Sequence, residues 1–127
     1  MKKTIIKTDK APAPIGPYNQ AVLVNDILYV SGQIPLDPAS MEVVNGGIEA
    51  ETEQVMQNLK AVLAAASMDF SHVVKTSIFL SDMHTFSSVN AVYGRYFDHE
   101  NAPARETVEV ANLPKFVNVE ISLIAVR

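Results

Sequence analysis

Two charged residues near the end of the chain carry the strongest chemical signal. Arg105 lies in P-A-R-E-T-V-E-V (Pro103 to Val110), and Glu120 lies in V-N-V-E-I-S-L (Val117 to Leu123). Both stretches alternate polar and apolar residues, the pattern of a strand with one buried face. Between them, Ala111-Asn112-Leu113-Pro114-Lys115-Phe116 carries Asn and Pro and reads as a turn. An antiparallel hairpin centred near Leu113-Pro114 sets Thr107 opposite Glu120 and Arg105 opposite Ser122. It predicts that Arg105, Thr107, Glu109, Asn118, Glu120 and Ser122 share one face. Val108, Val110, Val117, Val119, Ile121 and Leu123 then share the other. A cation fixed beside a carboxylate suits a small molecule that has its own carboxylate and a carbon that water can attack. The competing reading is a plain cross-strand ion pair of Arg105 with Glu120 or Glu109.

The elements that must position these groups follow from pattern. Thr4 to Lys7 is short and β-branched and predicts an edge strand. Ala11 to Pro17 holds three prolines and a glycine in seven residues, a stiff loop that delivers Tyr18 at its end. Ala21 to Val24 and Ile27 to Ser31 flank Asn25-Asp26, a two-residue connection suited to a tight hairpin. Asp37 to Gly47 reads as a loop with a short strand at Glu42 to Val44. Glu49 to Ser67 is the clearest helix: Val55, Leu59, Val62, Leu63 and Ala66 recur at helical spacing, and Glu49, Glu51 and Glu53 crowd its first turns. Val73 to Leu80 reads as a buried strand, and Ser87 to Phe97 as a second helix with Val89, Val92, Tyr93, Tyr96 and Phe97 inward. Two helices on one face of a single sheet make a two-layer α+β domain spanning residues 1–127. The uncovered face carries apolar residues, so self-association is expected.

Composition narrows the function. The 127 residues include no cysteine, which removes disulfides, thiolate catalysis and Cys-based zinc sites. The net charge is −4, and no basic run exceeds Lys2-Lys3, a balance that argues against a general nucleic-acid binder. His72, His84 and His99 lack metal-ligand spacing, so no metal site is expected. The N-terminal apolar stretch is too short for a secretory signal and no run reaches transmembrane length; a cytoplasmic location without membrane association is the expectation.

Several motifs then agree in order along nearly the whole chain: Ile15-Gly16-Pro17-Tyr18 with Gln20-Ala21, Val30-Ser31-Gly32-Gln33-Ile34-Pro35, Val74-Lys75-Thr76, Val89-Asn90, and Pro103-Ala104-Arg105 leading to Val119-Glu120-Ile121. On these the chain resembles the RidA (YjgF-type) family of reactive-intermediate deaminases. The resemblance implies a chorismate-mutase-like α+β sandwich, a mixed β-sheet with two helices on one face. It also implies a homotrimer with active sites in clefts between neighbouring subunits. The implied reaction is hydrolysis of 2-imino and 2-enamino acids, such as 2-iminobutanoate and 2-iminopropanoate, to 2-oxo acids and ammonia, with no metal and no organic cofactor. Position 107 is often Cys in that family and is Thr here. That closes a thiolate mechanism and leaves one built on main-chain groups.

Each candidate residue then has an expected role. Arg105 holds the substrate carboxylate, and Glu120 orients and deprotonates the attacking water. Tyr18 hydrogen-bonds substrate or water from its rigid loop. Thr107 contributes its main-chain N–H and C=O, with its hydroxyl a bystander. Ser31 bonds the substrate, Gly32 permits close backbone approach, and Asn90 reaches the cleft from the second helix. Two alternatives stand beside the deaminase. One is a non-catalytic binder of small 2-oxo or amino acids, which uses Arg105 but not Glu120. The other is an endoribonuclease, against which the acidic charge speaks.

Overall fold

A computed structural model describes all residues, 1–127. Six strands form one mixed sheet: β1 (Lys3–Ile6), β2 (Ala21–Val24), β3 (Ile27–Gln33), β4 (Val73–Leu80), β5 (Ala104–Glu109) and β6 (Val119–Val126). Their spatial order is β1-β2-β3-β6-β4-β5. Helices α1 (Ile48–Ala65) and α2 (Phe86–Tyr93) pack on one face. The fold is the expected two-layer α+β arrangement. The first three strands form an antiparallel meander, with Asn25 at φ 55° in the β2–β3 turn. The segment Glu42 to Val44 makes only an isolated bridge, Leu36 to Val43.

One expectation fails here. β5 and β6 are not paired. β5 runs parallel to β4 along one side, and β6 runs antiparallel to β4 along the other. The two strands are antiparallel in sense, as read from the sequence, but β4 lies between them. Two strand spacings are about 9.5 Å, too wide for a tight turn. Residues 110–118 span that gap, with a 3₁₀ turn at Pro114–Phe116. Alternation within a strand fixes which residues share a face; it does not name the neighbouring strand. The expected strand partner was therefore wrong although both strands were right.

The core lies between the sheet and the helices. On α1, Val55, Leu59, Val62 and Leu63 are buried, as is its C-cap residue Ala66, the stripe the sequence predicted. Leu28, Val30, Ile78, Leu80, Val119, Ile121 and Leu123 meet them from the sheet. α2 is shorter than expected and tightens to a 3₁₀ turn at Gly94–Tyr96. The other face of the sheet carries Val22, Tyr29, Ile124, Phe79 and Val108, and of these Tyr29 and Val108 are exposed. No helix is long and apolar enough to cross a membrane.

Three buried polar side chains tie down the loops at one end of the sheet. Gln20, 3% exposed, offers its amide N–H groups to the carbonyls of Thr8 (3.0 Å), Ala11 (3.2 Å) and Pro12 (2.9 Å) and accepts from Thr8 N–H at 2.8 Å. Asn58 on α1 donates to the carbonyls of Ile34 and Leu36 at 3.2 and 3.0 Å. Glu51 in the first turns of α1 accepts from the Asn118 main-chain N–H at 3.1 Å and its side-chain amide at 2.8 Å. Each satisfies main-chain groups that the neighbouring irregular backbone leaves unpaired. Replacing Gln20 by Leu keeps the volume but orphans buried carbonyls. The expected cost is about 2–3 kcal/mol of unfolding free energy, measured by urea denaturation, with the slope of the transition unchanged.

Candidate active site

The strand order decides where the chemistry-bearing side chains point. In register across the sheet, Arg105 aligns with Thr76 and Leu123, and Thr107 aligns with Ile78 and Ile121. These neighbours face the helices. Glu120 aligns with Phe79 and Val108, which face the other way. Arg105 and Glu120 therefore lie two strands apart and on opposite faces of the sheet. The expected shared face is overturned. The hairpin register placed Arg105 beside Ser122 rather than Leu123, and a one-residue offset in a strand moves every side chain to the other face.

On the helix face Arg105 has no carboxylate partner. Glu109 accepts instead from the Met83 N–H at 2.8 Å, and Glu106 pairs with Lys75 at 2.8 Å. The ion pair that was the plainer reading of Arg105 is absent. One guanidinium N–H donates to Asn90 Oδ1 at 2.8 Å. The guanidinium carbon lies over the rings of Tyr93 (5.0 Å to the centroid) and Phe86 (5.5 Å). Arg105, Asn90, Tyr93, Phe97, His99 and Pro103 line a cavity of about 480 Å³. A cation held by an amide and aromatic faces keeps its hydrogen-bonding edges available to an incoming anion.

Thr107 is the next helix-facing residue on β5. Val110 N–H donates to Leu80 O at 2.9 Å, so by alternation Arg105, Thr107 and Glu109 turn their main-chain N–H and C=O to the open sheet edge. The Thr107 hydroxyl is enclosed and has no hydrogen-bond partner.

The second group assembles on the other side. Ile15, Tyr18, Ser31, Gly32, Ile34, Pro114 and Glu120 line a cavity of about 380 Å³. Glu120 is half-buried there, and loss of solvation pushes its carboxyl above the usual carboxylate range. The bulge between Val30 and Gln33 on β3 places Gly32 against it. A Cβ at Gly32 would lie 2.6 Å from Glu120 Oε2, so only glycine leaves room for the carboxylate where it sits. Ser31 donates its hydroxyl to Asn19 O at 2.6 Å and is left as an acceptor. Tyr18 accepts from Ile15 N–H at 3.3 Å, which leaves its own phenolic proton free to donate.

The sequence-predicted residues thus fall into two sets. Tyr18, Ser31, Gly32 and Glu120 converge on one cavity, and Asn90, Arg105 and Thr107 on another region. The sequence reading missed Tyr93 and Phe86 as partners of Arg105. The signal was present: Phe86, Asn90 and Tyr93 fall at i, i+4 and i+7, one stripe of α2. It also missed the apolar wall of Ile15, Ile34 and Pro114.

Comparison with known proteins identifies the lineage. Residues 8–127 match the family model described as Endoribonuclease L-PSP, the family that also carries the RidA and YjgF names. The chain belongs to the RidA family. Human 2-iminobutanoate/2-iminopropanoate deaminase is 46% identical over 125 residues, covering 98% of this chain and 90% of that protein. Among solved structures, RidA from the Antarctic bacterium Psychrobacter superposes with a TM-score of 0.93 at 43% identity, covering 98% and 99% of the two chains. Escherichia coli TdcF with bound serine gives 0.91 at 38% identity and covers 98% of both. The matched lengths take in the whole sheet of this RidA-family chain.

Two substitutions test the local geometry. Gly32→Ala should displace the Glu120 carboxylate and lower kcat by about tenfold or more, while thermal denaturation shows an intact fold. Thr107→Val removes an enclosed hydroxyl that has no partner. It should leave kcat/KM within about twofold and stability equal or higher by up to about 1 kcal/mol; a large loss of activity would assign the hydroxyl a chemical role.

Proposed function

We propose that the protein hydrolyses small 2-imino acids, in equilibrium with their enamine forms, to 2-oxo acids and ammonia, at sites completed by two chains. The carrying observation is the unpaired Arg105 guanidinium on one face and the desolvated Glu120 carboxylate on the other. No two- to four-carbon acid reaches both within one chain. A second copy that brings its Glu120 cavity to the Arg105 edge of the first places both groups on one substrate. The exposed apolar residues on the uncovered sheet face, Tyr29 and Val108, favour such association. The homotrimer of the RidA resemblance is the assembly we adopt for this contact. The deaminase name of the human relative and the serine bound to the E. coli relative support a small amino-acid-like substrate.

In this reading Arg105 grips the substrate carboxylate through its free N–H edges, and the exposed main chain of Thr107 lines the same edge. Glu120 accepts a proton from a water that adds to C2 of the protonated imine. The C2–O bond forms as the C=N π bond gives its electron pair to nitrogen. Glu120, now protonated, returns the proton to the nitrogen of the tetrahedral carbinolamine. The C2–N bond then breaks with its electron pair leaving on ammonia, the hydroxyl gives its proton to Glu120, and Glu120 passes it to the departing ammonia as ammonium, which leaves the 2-oxo acid and restores the carboxylate. Tyr18, with a free phenolic proton, donates to the added oxygen. Ile15, Ile34 and Pro114 form the apolar wall against which a short aliphatic side chain rests. None of these steps calls on a metal or an organic cofactor. The location we assign to this activity is the cytoplasm.

A binder of small 2-oxo acids has no use for a desolvated carboxylate beside C2, whereas a binder of amino acids would pair Glu120 with the ammonium; release of ammonia and 2-oxo acid separates that reading from catalysis. Cleavage of RNA calls for a basic surface along the phosphate backbone, and the net charge of −4 is unfavourable to it.

The test generates imines in situ with an amino-acid oxidase and follows release of ammonia and 2-oxo acid. Arg105→Ala should reduce turnover to the buffer rate with the oligomer intact; full activity in that variant would contradict the assignment. Because desolvation raises the Glu120 carboxyl, the carboxylate base is lost as pH falls through a value above the usual carboxylate range. The acid limb of the kcat/KM profile should lie there in the wild type and vanish in Glu120→Gln, whose kcat falls by about a hundredfold with little change in product affinity.

A further inference from the structure

We propose that Tyr93 is a positioning residue for Arg105, acting through the stack of its ring on the guanidinium, and that it sets the affinity of the site for a carboxylate. The inference rests on the reading of Arg105 given above. Arginine on an exposed edge strand ordinarily samples many rotamers, and ordering it costs entropy each time an anion binds. Here the guanidinium already has a seat. Its carbon lies 5.0 Å from the Tyr93 ring centroid and 5.5 Å from that of Phe86, and Asn90 Oδ1 takes one N–H at 2.8 Å. All three come from one stripe of α2.

Tyr93 is the fixed member of this seat. It is 6% exposed, its hydroxyl lies 2.8 Å from Thr76 Oγ1, and its ring packs against Phe97 with centroids 4.7 Å apart. Thr76 is the β4 neighbour that aligns with Arg105 itself. The ring therefore joins α2 to the strand beside Arg105 and cannot drift independently of either. The contact with the ring is a cation–π attraction that supplies no hydrogen-bond acceptor, whereas carboxylate recognition uses the N–H donors. The two contacts do not compete, so the stack orients the fork without consuming its donors. A lysine at position 105 keeps the charge but loses this planar seat.

The experiment uses the assembled protein with Tyr93→Phe, Tyr93→Leu, Phe86→Leu and Arg105→Ala, and two probes: 2-oxobutanoate and its uncharged analogue 2-oxobutanamide, both read as competitive inhibitors of imine hydrolysis. Tyr93→Phe keeps the ring and its packing on Phe97 but loses the tie to Thr76; it should weaken 2-oxobutanoate by about two- to threefold, less than loss of the ring does, and leave the 2-oxobutanamide constant unchanged. Tyr93→Leu keeps apolar bulk without the ring. It should weaken 2-oxobutanoate by about five- to twentyfold, raise KM for the imino acid by a similar factor, and leave kcat and the 2-oxobutanamide constant near wild type. Phe86→Leu should shift the same quantities in the same direction by less, and it carries the test alone if Tyr93→Leu does not assemble. Equal weakening of both probes, or a fall in kcat at constant KM, would mean general distortion of the site and overturn the proposal. Arg105→Ala, which does not turn over and whose 2-oxobutanoate binding is therefore read by isothermal titration calorimetry beside the wild type and Tyr93→Leu, separates the two levels. If it binds 2-oxobutanoate as the wild type does, the reading of Arg105 fails and this inference with it; if it loses binding while Tyr93→Leu does not, only the role of Tyr93 fails.

Discussion

The insertion of β4 between β5 and β6 is the constraint on which the rest of the site depends. It makes β5 an edge strand with an open main-chain side, and it shifts the alignment of Arg105 from Ser122 to Leu123. Arg105 consequently faces α2, while Glu120 faces away from the helices. Each half of the site is built with the supports its chemistry needs. The basic half has aromatic rings and an amide that hold the cation without neutralising it. The acidic half has a bulge, a glycine and an apolar wall that bring a carboxylate out of water. In the proposed reading, neither half alone both anchors an acid and activates water on it.

Precision in the acidic half comes from buried polar side chains outside it. Gln20 fixes the Pro-rich segment that precedes Tyr18. Asn58 holds the carbonyls of Ile34 and Leu36 where the chain leaves β3. Glu51 clamps Asn118, two residues ahead of Glu120, and Asn118 also accepts from the Ser81 hydroxyl at 2.8 Å. A buried amide or carboxylate that makes all its bonds in one geometry rejects alternatives more sharply than an apolar contact does. A small apolar cluster of Ile34, Leu36, Leu113 and Val117 underlies the same loops. The loops therefore behave as an extension of the core, and the raised carboxyl of Glu120 is a consequence of their close fit.

Much of this was legible in the residues. The stripe on α1, the β2–β3 hairpin and the two-layer arrangement followed from periodicity and turn chemistry. Tyr18, Ser31, Gly32 and Glu120 were each singled out, and the structure gathers them around one cavity. The pairing of Arg105 with Glu120 on one face was not legible, because alternation along Pro103–Val110 and Val117–Leu123 is equally compatible with adjacent strands and with strands parted by a third. The glycine at 32 could be read as permissive backbone, but the reason for it, a carboxylate pressed against its Cα, requires the β3–β6 neighbourhood. The cradle of Arg105 was encoded at i, i+4 and i+7 of α2, yet Phe86 and Tyr93 also fit an ordinary core stripe. Nothing in the spacing says which strand residue such a stripe will meet.

The central claim is that one substrate is held by Arg105 of one chain and worked on by Glu120 of another. Subunit mixing measures this directly. Arg105→Ala and Glu120→Ala are purified separately, each without activity, then unfolded, mixed in equal amounts and refolded together. If every site draws its two groups from different chains, random assembly restores about a quarter of the wild-type specific activity, whatever the number of subunits in the ring. Refolded mixtures that form mixed oligomers and stay inactive would contradict the account, because they would place both groups in the service of a site within one chain.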